Sequence, residues 1–339
     1  MLGSLDSLTE NISTNCYLIN KRLPSPNLRF EKFTLGRLLK TEVKLLWIEG
    51  IARTSAVDDV RSRIQMIDID IFDGIGMLAG LITDRPSSVF PTYKQTQCPD
   101  VISKSLTDGQ FAVLCDNSPF AFIGPVSFWD HFKTMDDYAQ DTVASSYLWI
   151  IRYLSYVLCT TISPLYLAFV SFNHIIVPDT LAQNISKGRD AVPFPTFLEI
   201  MLLTIMLSII REASLRIPGT MGYFIGTMSA IVIGQASVSA GYFSALVIIV
   251  VSVSIISSFV VSSFTLLYRT KMINYVLIIM SGAFGMFGFL NCVVLVIWHM
   301  TFLESFSLSF LHPIIPFDFN AIKDTLVRAP FKKLNKRFR

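Results

Sequence analysis

The sequence is short of charge: Asp, Glu, Lys and Arg make up 16% of its 339 residues, against about 25% in ordinary soluble domains. With 52% hydrophobic residues and a mean hydropathy of +0.54, that deficit places the chain outside the soluble globular class. The net charge of +3 is too small to argue for nucleic acid, and the basic residues do not interleave with aromatics in a patch. The five cysteines, Cys16, Cys98, Cys115, Cys159 and Cys292, form no CxxC pair. Neither a zinc site nor a disulfide framework is expected, and a reducing compartment fits best. No HExxH, glycine-rich phosphate loop or GxSxG elbow occurs, and His131, His174, His299 and His312 lie far apart. The expectation is no enzyme, no metal and no cofactor. Asp70/Asp73 and Asp136/Asp137 read as solvated charges rather than catalytic pairs. The opening MLGSLDSLTEN lacks the basic start and apolar stretch of a signal peptide. The soluble half is therefore expected to stay cytosolic, which leaves the sequons at Asn11 and Asn184 without physical meaning.

What is present is a division into halves. Before residue 147 no apolar run approaches the roughly 20 residues needed to span a bilayer, whereas residues 147–173, 219–240, 242–268 and 272–300 all do. Residues 196–210 offer only about 14 apolar positions, interrupted by Glu199, and read as re-entrant. The expected fold is an α-helical integral membrane protein, with four or five transmembrane helices plus a re-entrant segment and an N-terminal cytosolic α/β domain. Residues 1–40, broken by Pro24 and Pro26, read as an irregular N-terminal extension. Residues 41–146 carry the α/β domain. In it, VKLLWIEGI is a buried strand, residues 55–68 form a helix with Val57, Val60, Ile64 and Ile67 at helical spacing, and residues 73–82 form a second helix. SVFPTY is extended, residues 99–106 are helical, and QFAVLCD and FAFIG are strands joined by Asp116-Asn117-Ser118-Pro119. The acidic, aromatic stretch 128–144, with Asp130, Asp136, Asp137 and Asp141, is expected to dock near the headgroups, where Arg152 snorkels. Residues 147–300 form the transmembrane domain. Residues 301–339 form a basic cytosolic tail, carrying Lys323, Arg328, Lys332, Lys333, Lys336, Arg337 and Arg339.

Three constellations stand out in the membrane half. Gly222, Gly226, Ala230 and Gly234 recur every four residues, a face on which a second backbone can approach closely. Gln235 and Ser239 lie beside it and need a partner or water, because a bare amide costs a few kcal/mol in hydrocarbon. Ser254, Ser258 and Ser262, with Ser244 on nearly the same side, line one helix face with hydroxyls. That face serves either helix packing or, in an oligomer, a pore wall. Arg211, Glu212 and Arg216 form a charged lead-in, with Glu212 and Arg216 four apart; with Glu199 they are either a membrane-surface turn or a functional cluster.

Several short motifs stand together: Arg211-Glu212-Ala213 with Arg216, Ile217 and Pro218, then Ile233-Gly234-Gln235-Ala236 with Val238 and Ala240-Gly241. Pro193-Phe194-Pro195 with Glu199, Phe90-Pro91-Thr92, Pro99-Asp100 and Arg328-Ala329-Pro330 complete the set. Together they resemble the A subunit of the GerA-type spore germination receptors of endospore-forming bacteria. The resemblance runs from about Val43 to Pro330. It departs at Gln97-Cys98, where the family has an acidic-basic pair, and at Ser307 and Ser309, where it has glycine and proline, while Pro313 and Pro316 remain. The family's soluble region has two subdomains, and only the second is expected here. The resemblance implies a subunit in the spore inner membrane, working with a transporter-like B subunit and a lipoprotein C subunit. It further implies homo-oligomerisation into a ligand-gated cation channel held among membrane lipids. An accessory scaffold and a secondary transporter stand as alternatives; Gly282, Gly285 and Gly288 could break the last span for the latter.

Overall fold

The computed structural model describes residues 6–134, 136–172, 188–189, 192–217, 232, 234–317 and 325. Gly222, Gly226, Ala230, most of the apolar run 219–240, His174 and the seven basic tail residues lie outside the described residues. The chain forms two compact units. The first takes in Met1–Arg152, Ser262–Arg269 and Trp298–Arg339, and the second Tyr153–Val261 and Thr270–Ile297.

The first unit is built on β1 (Leu28–Leu35), β2 (Thr41–Ile48), β3 (Lys94–Thr96), β4 (Phe111–Cys115) and β5 (Ala121–Gly124), in the order β1-β2-β4-β5-β3. Every neighbouring pair is antiparallel. Helices α1 (Ile12–Arg22), α2 (Thr54–Gln65), α3 (Ile75–Ile82) and α4 (Pro99–Thr107) cover it. Alternating side chains divide between two cores. Val43, Leu45, Val113 and Phe122 pack under α2 and α3 through Val57, Val60, Ile64, Ile75 and Leu78. Leu46, Ile48, Ala112, Leu114 and Ile123 pack under α1 and α4 through Ile12, Ile19, Ile102 and Leu106.

The alternation of helix and strand thus does not signal parallel pairing. The turn at residues 116–119 folds β5 straight back on β4, with Val113 opposite Phe122. The described part of the N-terminal segment expected to be irregular, residues 6–40, carries α1 and β1. Asn11 caps α1, its Oδ1 accepting from Ser13 N at 2.9 Å and Thr14 N at 3.2 Å. β1 is an edge strand whose buried positions are its two end leucines. SVFPTY forms no strand; β3 starts just beyond it, at Lys94.

A short helix, α5 (Asp136–Ala139), precedes the long α6 (Thr142–Phe172), which is followed by α7 (Thr196–Arg216), α8 (Ala245–Phe259) and α9 (Phe264–Thr301). Among the described residues, two helices are long and apolar enough to cross a membrane. They are Thr142–Ser171, with mean hydropathy 1.5, and Phe264–Thr301, with 2.0. The run 242–268 is not one helix. α8 ends at Phe259, and Ser263 caps the next helix by accepting from Leu266 N. The segment 196–210 does not stop where its apolar positions do: α7 runs 21 residues and takes in Arg211, Glu212 and Arg216.

Nor is α9 a single rod. Gly285 has φ 62° and ψ −141°, outside helical space. Arg269 donates to the Ser88 carbonyl at 2.5 Å, while His299 lies 3.2 Å from the Ser88 hydroxyl. Thirty residues of straight helix would hold those two side chains about 45 Å apart. The chain therefore doubles back at Gly285, and a Cβ on Gly288 would strike the Met280 carbonyl across the bend. Of Gly282, Gly285 and Gly288, the three glycines able to break this last run, Gly285 is the one outside helical space. In the second unit Leu167, Ile200, Leu203, Phe243, Val247, Val251 and Ile278 make one core, and Gly282 leaves room for the Phe197 ring.

Candidate functional site

A polar network lies in the first unit, where residues 84–92 and 126–137 hold the base of α6 and both ends of α9. Asp137 is fully buried. Its carboxylate accepts from Arg152 at 2.5 and 2.8 Å, from Trp149 Nε1 at 2.9 Å and from Thr134 N at 2.8 Å. Burial opposes ionisation here, but the Arg152 guanidinium and the other donors outweigh it and hold the carboxyl below its ordinary range. Asp137 is therefore not a solvated charge, and Arg152 does not snorkel to headgroups: besides its two bonds to Asp137, its Nη1 donates to the Phe132 carbonyl at 2.9 Å.

Six residues earlier, His131 is fully buried, with Nε2 3.1 Å from the Pro91 carbonyl and Nδ1 3.2 Å from Ser263 Oγ. A carbonyl can only accept, so Nε2 carries the proton, and Ser263 donates to the bare Nδ1 while capping α9. Burial, reinforced by the charge of Lys94, pushes the imidazole down to about 4, so it is neutral at pH 7. Lys94 itself donates to the carbonyls of Asp130 and Lys133, each at 3.0 Å, and burial pushes its ammonium down to about 8. Arg269 ties the first turns of α9 to the Ser88 and Phe90 carbonyls at 2.5 and 3.1 Å.

Beyond α9 the chain makes a miniature hairpin, β6 (Glu304–Ser305) and β7 (Leu308–Ser309), whose two turn residues Phe306 and Ser307 have φ 46° and 66°. Left-handed φ at both positions is the geometry of a tight type I′ turn, normally met by Asn-Gly. The turn drives the Phe306 ring between Phe111 and Phe122, at centroid distances of 5.0 and 6.1 Å, with the Arg63 guanidinium over it at 5.0 Å. Asp84 accepts from Phe306 N at 2.9 Å, and Ser305 Oγ bridges Val126 N and the Thr92 carbonyl at 3.0 and 2.6 Å.

The second unit carries most of the residues singled out from sequence. Glu199 is fully buried, one oxygen accepting from the backbone N of Ser244 at the start of α8. Ser254 donates to the Cys159 carbonyl at 2.9 Å, and Ser258 accepts from Arg211 at 2.8 Å and donates to the Ile255 carbonyl at 2.6 Å. Ser262 is exposed beyond the end of α8, so the hydroxyl face stops at Ser258. Gln235 and Ser239 are exposed, Gly234 would meet nothing if given a Cβ, and Glu212 pairs with Arg216 at 3.0 Å. Sequence reasoning missed the junction. Its partners, Asp137 with Arg152 and His131 with Ser263, are joined only by the fold, and the readable clue was an acidic residue a few turns before an arginine inside an apolar run.

A family model described as Bacillus/Clostridium GerA spore germination protein matches residues 1–339. Spore germination protein B1 of Bacillus subtilis (strain 168) is 35% identical over 97% of this chain and 68% of its own length. Spore germination protein KA of the same organism is 31% identical over 99% of this chain and 62% of its own. Its uncharacterized membrane protein YfkQ is 31% identical over 99% and 65%. The chain thus spans about two thirds of the length of these curated relatives. The crystal structure of the N-terminal domain of the A subunit of the Bacillus megaterium spore germinant receptor GerK3 matches at 35% identity, covering 36% of this chain and 98% of that one, with a TM-score of 0.30.

Proposed function

Since this chain belongs to the GerA family of spore germination proteins, we propose that it is the A-type subunit of a nutrient-responsive germination receptor. In this reading it transmits a change in its sheet domain to apolar helices through the Asp137–Arg152 junction. The observation that carries the proposal is that one buried carboxylate holds the Thr134 backbone and both Trp149 and Arg152 of α6. A shift of the 128–137 segment cannot leave α6 undisturbed. The subunit acts without enzymatic chemistry in the spore inner membrane, beside a transporter-like B subunit and a lipoprotein C subunit. Its sheet domain and tail face the cytosol. Four or five membrane crossings and a re-entrant segment fit this arrangement. Copies associate through the Gly222, Gly226, Ala230 and Gly234 face and conduct cations when the receptor is triggered.

The exposed Gln235 and Ser239 support association, because polar side chains in a bilayer call for a protein or aqueous neighbour. The engagement of Ser254 and Ser258 inside one bundle favours a second reading, a non-conducting scaffold, for that part of the chain. Two measurements separate them: ion flux through purified protein in liposomes, with and without a co-expressed B-type partner, and its mass in detergent. Flux from an oligomer, lost in Asp137→Asn and in Gly234→Leu, supports the channel. Absence of flux with partner binding intact supports the scaffold. Wild-type germination rates in Asp137→Asn spores would remove the junction from the mechanism.

A further inference from the structure

Lys271, two turns into α9, is half-buried yet makes no hydrogen bond or ion pair among the described residues. One turn further along α9, Tyr275 donates to Ser208 of α7 at 3.2 Å, which sets Lys271 against the turn of α7 that carries Arg211 and Glu212, and Glu212 is already committed to Arg216. Arg211, in the last turns of α7, is held at the end of α8: it donates to Ser258 Oγ at 2.8 Å and stacks at 4.5 Å over the Phe259 ring, where α8 terminates. The carbonyl end of α8 favours a cation at that point, but no described group pairs with Lys271.

The surroundings say what does. Ile209 on α7, Ile256 and Phe259 on α8 and Met272 on α9 are all exposed on the turns adjoining these charges. An apolar wall ending in two cations matches a phospholipid, acyl chains along the wall and phosphate at its rim. We propose that Lys271, with Arg211 beside it, binds the phosphate headgroup of an anionic lipid. The guanidinium fork offers directed donors to phosphate oxygens and the ammonium a mobile point charge.

The proposal rests on α7, α8 and α9 lying in a bilayer, which co-sedimentation of the chain with membranes tests on its own. The lipid site is tested on the purified full chain in neutral detergent by native mass spectrometry. Phosphatidylglycerol, phosphatidylcholine and inorganic phosphate are each titrated. The expected result is retention of phosphatidylglycerol but not phosphatidylcholine, weakened about fivefold by Lys271→Gln, restored by Lys271→Arg and unchanged by Arg216→Gln. Equal retention of the two lipids, or no effect of Lys271→Gln, would overturn it. Displacement of the lipid by millimolar inorganic phosphate would overturn the lipid as occupant and leave a site for a small free anion. Retention by the unsubstituted protein should also fall as salt rises, a reading that needs no variant to fold.

Discussion

The side-chain amide of Asn274 donates to the carbonyl of Thr160 at 2.9 Å, the carbonyl that Pro164 leaves without its helical partner. Proline has no N–H to return to the residue four back, so α6 carries one orphaned acceptor, and Asn274 of α9 fills it. The same amide reaches the Cys159 carbonyl at 3.2 Å, where Ser254 also donates. Three helices are joined at one proline.

From this, Asn274→Ala should destabilise the protein in detergent by about 1 to 2 kcal/mol. Pro164→Ala restores the N–H to Thr160. The loss on removing Asn274 should therefore shrink in the Pro164→Ala background, read as a double-mutant cycle on denaturant unfolding followed by tryptophan fluorescence.

His131 makes the junction sensitive to acid. Its folded pKa of about 4 lies below the ordinary 6.5, so between these values the unfolded chain takes up a proton that the folded chain refuses. The imidazole's contribution to stability should be flat above pH 6.5 and fall by about 3 kcal/mol between pH 6.5 and 4, whereas buried Lys94 makes stability rise above about pH 8. Lys94, Asp130 and Arg269 share this environment. Substituting His131→Gln should flatten the part of the slope that belongs to the imidazole, measured as thermal midpoint against pH; an unchanged slope would assign it elsewhere.

Because α9 doubles back at Gly285, positions flanking it should be accessible from one side of the membrane. Single cysteines at Ser262 and Ser307, both exposed, introduced into a cysteine-free background, should react with an impermeant maleimide from the same face in oriented vesicles. Opposite labelling would mean that α9 crosses as a rod in the bilayer.

Ser307 occupies a left-handed conformation, φ 66°, where glycine is free of strain. Ser307→Gly should raise stability by about 1 kcal/mol, seen as a higher thermal midpoint. Phe306→Ala should lower it by about 3 to 5 kcal/mol, since it empties a core position.

Much of the sheet domain was legible. Val57, Val60 and Ile64 repeat at helical spacing and do face the core, and Asp116 to Pro119 has the composition of the turn it makes. α1 was not, because one of its three buried positions is Asn15, whose amide oxygen accepts from Thr9 N at 2.7 Å; a polar residue there erases the apolar period. β1 was not, because an edge strand exposes one row and its charges look like loop. The serine repeat misled at Ser262, since spacing cannot tell a continuing helix from the cap of the next. Asp137 misled for a related reason: hydropathy assigns acids to water, and only the fold supplies Arg152.

Phe306 belongs to the same core as Val113 and Phe122, although α6 to α9 lie between them in the sequence. On the ribosome, the strands emerge long before the ring that completes their packing. That ring is synthesised only after the long apolar helices α6 and α9. Completion of the sheet domain's core is therefore a late event, contingent on synthesis of every helix through α9. A nascent chain stalled before residue 306 should carry an open, protease-sensitive sheet, however well its strands are made.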